Sequence, residues 1–489
     1  MTSPPPFDAS HAQRELERLE GDVTEVAWAS PSGKAYRLSI PPTVYPPRED
    51  TDALARALAR QRLKPGSSFL EIGCGSGAIT VLGASKGWVT TACDIHPFAV
   101  LATQHNVSLH GFSARVLEGG PGPTLDGQPS QWGGDGMYDL VAWNMPYLPA
   151  PEPDEAHLGP LEEASLIDTD SDGLYRRFLS MLAGGGLLHT DGVAFVVLSS
   201  LHHGSTACEQ AWAFGLAACV VETVEFDDEE RLVVVKIWRP FSGAMVSAVE
   251  VVESTNQVLL HDTSSIGTSL RAEHQTAGRG QRGRTWQSME GAFLGSWMVG
   301  DEGHSSHGPI DQVRIGASLV RLCSLLASEN IADRLCLKWP NDLFVRDHQH
   351  APWKKAGGVL FEGLTRGRTT RLVLGIGLNL KTLHHPLFSS LAQADVHLTP
   401  ATLHPMLHAL VASHFQSNVA NLVDPLAHGH LEAAVRRGVS CLGPLFYRGR
   451  QDDVVGLEST GALRLEGGDL VDDPNTLTWS NIQLGVDRG

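Results

Sequence analysis

No run of roughly 18 apolar residues occurs in this chain, so nothing in it reads as a membrane-spanning helix. Its seven cysteines (Cys74, Cys93, Cys208, Cys219, Cys323, Cys336, Cys441) form no C-x-x-C and show no paired spacing. That argues against a disulfide framework and a structural zinc site, and buried thiols are expected. The opening stretch MTSPPPFDASHAQRELERLEGDV lacks the basic flank and apolar centre of a secretory signal, and its acids are foreign to a mitochondrial transit peptide, so cytoplasmic residence is expected. Basic charge is scarce as well. Residues 1–240 hold 16 Lys+Arg against 31 Asp+Glu, a net of −15, whereas 241–489 hold 21 against 24, a net of −3. Gripping a duplex takes clustered cations, so the first half is a poor nucleic-acid clamp. No helix-turn-helix pattern or basic stripe occupies residues 1–60, and no operator binding is expected. The pairs His202-His203 and His384-His385 have no further ligands beside them, so they read as loop residues and no transition metal is assigned.

What is present is 489 residues, 42% hydrophobic and 19% charged, which is the composition of a folded chain too long for one core. Strand and helix patterns alternate up to RLVVVKIWRP (231–240), and a short connector, FSGAMVSA (241–248), leads into a second alternating stretch. A strand-rich end with turn signals at 459–461 and 467–468 suits a small β-barrel. GGPGPTLDGQPSQWGGDG (119–136) is rich in Gly and Pro and reads as a loop.

In the first half FLEIGCGSGAIT (69–80) reads as strand, Gly-rich turn and helix start, and GWVTTACDIH (87–96) as the next strand, ending in Asp94. Such glycines let backbone approach a ligand, and an acid closing the second strand can take two ribose hydroxyls; the bland alternative is a plain strand-to-helix connection. NMPY (144–147) ends the strand MYDLVAWN. There the Asn144 side-chain oxygen and the Met145 carbonyl can accept the two hydrogens of a planar NH2 group, with Tyr147 packed on its plane, although an Asn-x-Pro turn is also common after strands. VYPPREDTDAL (44–54) and SDGLYRRFL (171–179) flank these motifs. Over about residues 40–239 this pattern resembles class I S-adenosylmethionine-dependent methyltransferases of the N-P-P-Y type, most of all the release-factor glutamine methyltransferases. The resemblance implies a Rossmann-like α/β domain over 1–240, with Glu71, Gly73, Gly75 and Asp94 on S-adenosylmethionine and Asn144, Met145, Pro146 and Tyr147 on the accepting amide, Asn144 being catalytic. The family has proline where this chain has Met145, so a looser turn with its chemistry retained is expected. Adenine N6 in nucleic acid is the other planar NH2 that such enzymes methylate; the acidic charge favours a protein acceptor such as a release factor.

In the second half GRGQRGRTW (278–286) sets three arginines among three glycines. Arginine forks suit carboxylate and phosphate, and glycine lets main-chain N–H groups reach the same anion. A solvated loop or an RNA-binding Arg-Gly tract is the alternative. ESTN (253–256), KWPNDL (338–343), KKAGGVL (354–360) and GIGLNL (375–380) accompany it. Together these resemble biotin protein ligases, implying an α/β catalytic domain over 249–430 and a small SH3-like β-barrel over 436–489. By that resemblance the cofactors are biotin, ATP and Mg2+, and the partner is a biotin carboxyl carrier protein of acetyl-CoA carboxylase or a related enzyme. Lys355 and Arg279 would be catalytic, with Arg279, Arg282 and Arg284 on carboxylate and phosphates. Ser254, Thr255, Asn256 and Gln275 would address biotin, and Gly278, Trp286, Lys338, Asn341 and Asn379 would complete the biotin and nucleotide site. Asp342 is the Mg2+ candidate. Family loops commonly read G-R-G-R, whereas Gln281 stands here in place of the second arginine. The whole therefore reads as a bifunctional enzyme, with two alternatives: a ligase joined to a methyltransferase fold kept only for docking, or to an adenine methyltransferase.

Overall fold

The computed structural model describes residues 20–121, 129–147, 166–168, 170, 172–226, 230–287, 289–300, 309–367, 369–416 and 427–482. The chain divides into two compact units, Met1–Arg239 and Pro240–Gly489.

The first unit opens with an antiparallel hairpin, β1 (Thr24–Ala29) and β2 (Ala35–Ile40). Its main sheet contains β3 (Ser68–Ile72), β4 (Val89–Asp94), β5 (Arg115–Glu118), β6 (Tyr138–Asn144), β7 (Leu188–Ser199), β8 (Ala217–Glu225) and β9 (Arg231–Trp238), in the spatial order β5-β4-β3-β6-β7-β9-β8. The five strands from β5 to β7 are parallel, and β9 runs antiparallel between β7 and β8. A strand buried on both faces should read as a continuous apolar run, and seven of the eight residues of RLVVVKIW in β9 are buried. Strand order reverses between β3 and β6, and in open α/β sheets ligands bind outside the carboxyl ends of the strands at such a switch point. Helix Pro97–Leu109 begins cleanly: Pro97 presets its first turn, and the His96 ring accepts the Phe98 N–H at 3.2 Å. Within the loop 119–136, Pro129–Trp132 form a short helix.

The second unit is built on β10 (Val246–Val252), β11 (Ser269–Gln275), β12 (Phe293–Gly300), β13 (Leu335–Lys338), β14 (Asp342–Val345), β15 (Lys354–Arg366) and β16 (Thr369–Leu378), ordered β10-β11-β12-β16-β15-β14-β13. Only β10 and β11 pair in parallel. Helices Thr255–His261 and Pro400–Phe415 pack on β12, and helix Ala427–Leu442 covers β13. Two three-stranded sheets follow, one of β17 (Leu445–Tyr447), β18 (Arg450–Asp452) and β22 (Leu477–Trp479), the other of β19 (Val454–Leu457), β20 (Leu463–Leu465) and β21 (Leu470–Val471).

Two expected boundaries shift. Residues 246–248 of the anticipated connector belong to β10, because their backbone pairs with β11. The anticipated break between 430 and 436 falls inside helix Ala427–Leu442, whose buried Leu431, Val435 and Leu442 belong to the core. All seven cysteines are free thiols. Among the described residues no helix is long and apolar enough to cross a membrane.

Candidate functional site

At the switch point of the first unit lies a cavity of about 290 Å3 lined by Glu71, Gly73, Gly75, Asp94, Trp143, Asn144 and Pro146, among others. Gly75 sits at φ 48°, and its N–H donates to Asp94 Oδ2 at 2.9 Å, while Asp94 Oδ1 accepts the His96 N–H at 2.9 Å. The loop is thus tied to the acid that ends β4. Burial raises the Asp94 carboxyl above its ordinary value. Burial likewise pushes Glu71 up to about 8 against the hydrogen bond from Thr80, leaving its carboxyl mostly protonated at neutral pH and able to donate.

The Asn144 amide is asymmetric. Its Nδ2 donates to Asp50 Oδ2 at 3.0 Å, yet its Oδ1 is buried with no hydrogen-bond partner. Buried acceptors are normally satisfied, so this orphan on a residue that lines the cavity is free to accept from a donor brought by a ligand or a water. Asp50 is 2% exposed and also accepts the Tyr45 hydroxyl at 2.8 Å and the Tyr147 hydroxyl at 3.5 Å. Burial, reinforced by Asp50, raises both phenols and keeps them as donors. Sequence reasoning placed VYPPREDT beside the site without singling out Asp50; no local pattern announces a carboxylate that gathers residues 45, 144 and 147. Tyr147 is not among the cavity-lining residues. The Met145 side chain is 2% exposed and packs in the core with Trp143 and Phe178.

In the second unit a cavity of about 230 Å3 gathers residues from all five motifs: Ser254, Thr255, Asn256, Gln275, Arg279, Gln281, Arg284, Trp286, Asn341, Asp342, Lys355 and Asn379. Residues 278–286 close as a hairpin, with a bridge between Arg279 and Thr285 and hydrogen bonds from Gly280 N to Arg284 O (2.7 Å) and from Trp286 N to Gly278 O (2.9 Å). Space for two side chains comes from the GIGLNL strand. A Cβ on Gly375 would stand 2.5 Å from Asn256 Oδ1, and one on Gly377 would stand 2.7 Å from the Trp286 ring, so glycine alone fits both places. Gln275 Oε1 accepts from Thr255 N (2.8 Å) and Thr255 Oγ1 (3.1 Å); Ser296 Oγ, absent from the expected set, is within hydrogen-bond distance of both Thr255 Oγ1 and Asn256 Oδ1, with one hydrogen to donate. Asn256 Nδ2 donates to Glu362 (2.7 Å), another residue missed, which also faces Arg279 at 3.6 Å. Lys355 Nζ pairs with Asp342 Oδ1 at 2.6 Å and lies 5.5 Å from the Trp286 ring centre. Trp286 Nε1 and Asn379 Oδ1 are buried without partners, one donor and one acceptor.

Some expected residues are engaged elsewhere. The Asn341 side chain donates to the Val359 carbonyl at 2.5 Å, tying the turn to β15. Arg284 donates to Asn475 at 2.9 Å. Lys338 does not line this cavity; its ammonium lies 4.7 Å from the Trp479 ring centre, and burial lowers its pKa. Gly278 lines the adjoining groove rather than the cavity. The Arg282 side chain lies outside the described residues.

Residues 248–379 match the Biotin/lipoate A/B protein ligase family. The chain is 33% identical over 181 residues to the bifunctional ligase/repressor BirA of Escherichia coli (strain K12), a match covering 34% of this chain and 51% of BirA. It is 29% identical over 142 residues to a ribosomal protein L11 methyltransferase of a Nitratiruptor species, covering 27% of this chain and 47% of that protein. The chain thus spans about half the length of these relatives. A solved biotin protein ligase from Aquifex aeolicus, in complex with biotin and ATP, aligns at 22% identity and a TM-score of 0.38 over 48% of this chain and 99% of that one. The second unit accordingly carries a domain similar to biotin protein ligases.

Proposed function

We propose that the second unit joins biotin to a carrier-protein lysine through biotinyl-5'-AMP, and that the first transfers a methyl group from S-adenosylmethionine to a planar amide nitrogen, most simply a glutamine side chain of a protein such as a release factor. The ligase reading is carried by the convergence of five separate motifs on one cavity around Lys355. The biotin carboxylate attacks the α-phosphate of ATP, a P–O bond forms and pyrophosphate leaves; the acceptor amine then attacks the acyl carbon and AMP departs. Negative charge gathers first on phosphate and then on the acyl oxygen, so fixed cations at Lys355 and Arg279 stabilise both steps. Trp286 N–H and Asn379 Oδ1 offer the incoming molecule one donor and one acceptor. Among the described residues Asp342 is the single acid lining the cavity, and Lys355 already pairs with it, so it does not by itself build a magnesium cage. Mg2+ prefers phosphate oxygens with one or two carboxylates, and Asp342 fits that lesser part when ATP brings the ion.

The methyl-transfer reading rests on the orphan Asn144 Oδ1. With the Met145 carbonyl it would accept both N–H groups of the substrate amide and aim the nitrogen at the sulfonium methyl; the N–C bond forms as the S–C bond breaks, and the nitrogen then loses a proton. Asp94 and Glu71 line the same cavity, and in this reading they would take the hydroxyls of the donor's nucleoside.

The test is incubation with biotin, ATP and Mg2+, followed by isolation of biotinyl-5'-AMP and labelling of an apo-carrier domain, alongside calorimetric titration with S-adenosylmethionine. Absence of adenylate sinks the first reading, and absence of donor binding sinks the second. Methyl transfer to release factor rather than to duplex DNA or RNA decides the acceptor class.

Two substitutions test finer points. Gln281 Nε2 donates to Gln312 Oε1 at 2.7 Å, a neutral bond where the family carries a full charge. Gln281→Arg is expected to slow escape of biotinyl-5'-AMP roughly tenfold, the equivalent of one charge-assisted hydrogen bond. A rapid-filtration release assay with equal rates would reject this. Met145→Pro restores the family residue but removes a core side chain. Methyl transfer per folded molecule should hold or rise, while thermal unfolding shows a loss of about 1–3 kcal/mol; lost activity at full folding would contradict it.

A further inference from the structure

Beyond both activities, we infer a divalent transition-metal site in the first unit, formed by Asp168, His202 and His203. The two histidines follow β7, and Asp168 lies in the segment before helix Leu174–Ala183. His202 Nε2 and His203 Nε2 stand 3.9 and 4.0 Å from the same oxygen, Asp168 Oδ2, and one ligand atom from each residue falls within 4.8 Å of the others. In a tetrahedral zinc site with bonds of about 2.0–2.1 Å, ligand atoms lie about 3.3 Å apart, a gap that modest ring rotations close. Among the described residues this is the single group of three or more His, Cys, Asp or Glu placed to hold an ion.

Three further features point to a ligand here. His203 Nε2 is buried and has no hydrogen-bond partner. Gly173, at φ 84°, keeps the space beside the ligands clear, since a Cβ there would lie 3.1 Å from His203 Nε2 and 3.8 Å from Asp168 Oδ2. Asp168 is fixed in place before any ion arrives: Oδ1 accepts the Asp170 N–H at 3.0 Å and Oδ2 the Leu174 N–H at 2.9 Å. Each oxygen retains a lone pair.

One adjustment is required. The Gln210 amide contacts His203 Nδ1 at 3.3 Å through Nε2, which also donates to Thr206 Oγ1 at 2.9 Å. Turned over, Gln210 Oε1 would accept both Nδ1–H and the Thr206 hydroxyl, leaving the Nε2 lone pair for the metal; such carbonyl support of a ligating histidine is the rule. Two imidazoles and a carboxylate suit Zn2+ or Fe2+ rather than Mg2+ or Ca2+. Ile167, Asp170 and Leu174 line the cavity of this unit, so the ion would clasp that wall to the end of β7.

The experiment is equilibrium dialysis of the full chain against Zn2+, with bound metal measured by elemental analysis. The chain has 22 histidines, so a His348→Ala/His350→Ala variant controls for adventitious surface binding. One tight equivalent is expected in the parent and the control, weakened at least tenfold in Asp168→Asn and His203→Ala, with Zn2+ raising the Tm of the first pair only. Circular dichroism verifies that each variant is folded, and the visible absorption of bound Co2+ gives a second reading that should vanish in Asp168→Asn. Undiminished binding in both site variants, or no stoichiometric zinc in the parent, overturns the site.

Discussion

Lys355→Ala is expected to lower the rate of biotinyl-5'-AMP formation by about 10²–10³-fold, the usual cost of removing one preorganised charge partner from a reacting oxygen. The 2.6 Å pairing with Asp342 gives the reason for placing the effect in chemistry rather than folding. The ammonium is held at the cavity wall by the Asp342 carboxylate; in the proposed reaction Asp342 would be the residue to help hold Mg2+, and Lys355 would supply positive charge to the phosphate. Its side chain keeps 30% exposure, so the substitution removes little packing. Pyrophosphate release with biotin and ATP but without acceptor reads the first step alone. Unchanged release would remove Lys355 from the mechanism and, with it, the basis of the ligase reading.

Asn144→Ala should reduce methyl transfer by a similar factor of about 10²–10³, because it deletes the acceptor proposed to hold the substrate nitrogen in line. Affinity for S-adenosylmethionine should change little, since the proposed reading gives the donor's hydroxyls to Asp94 and Glu71, which end and lie in neighbouring strands. Asp50→Asn is the informative companion. It keeps the shape but weakens the grip on Asn144 Nδ2, so the amide can turn and present the wrong end; kcat should fall with donor binding retained. A parallel loss of donor binding in both variants would mark a collapsed pocket instead, and full activity in Asn144→Ala would sink the assignment. Single-turnover methylation and calorimetric titration separate these outcomes.

Much of this was legible in the chain because the signals are local. Apolar strands ending in GCGSG and in Asp94 announce a parallel α/β sheet with a Gly-rich turn, whereas the order of its strands is set by long-range pairing that no local stretch displays. The arginine hairpin, the paired lysines and GIGLNL are each self-contained, so their meeting in one cavity was foreseeable from resemblance. Residues whose importance is relational stayed hidden. Asp50 matters through partners at 45, 144 and 147, and Glu362 through Asn256 and Arg279. Lys338 follows the motif yet turns to Trp479, because an aromatic face from a distant strand competes for it. The His202-His203 pair gained weight only when the fold brought Asp168 beside it.

Helix Ala427–Leu442 bears on how the second unit can be divided. A Cβ on Gly438 would come within 1.9 Å of the Leu337 carbonyl, so the helix backbone rests directly on β13. β13 leads through Trp339 and Pro340 to Asn341 and Asp342, and Trp339 Nε1 is anchored by the Gly461 carbonyl at 2.9 Å. Shortening the chain at 430 would therefore strip the cover from β13, the strand that leads into Asp342, and remove the carbonyl that anchors Trp339, leaving that wall of the cavity unbraced rather than trimming away a spare appendage.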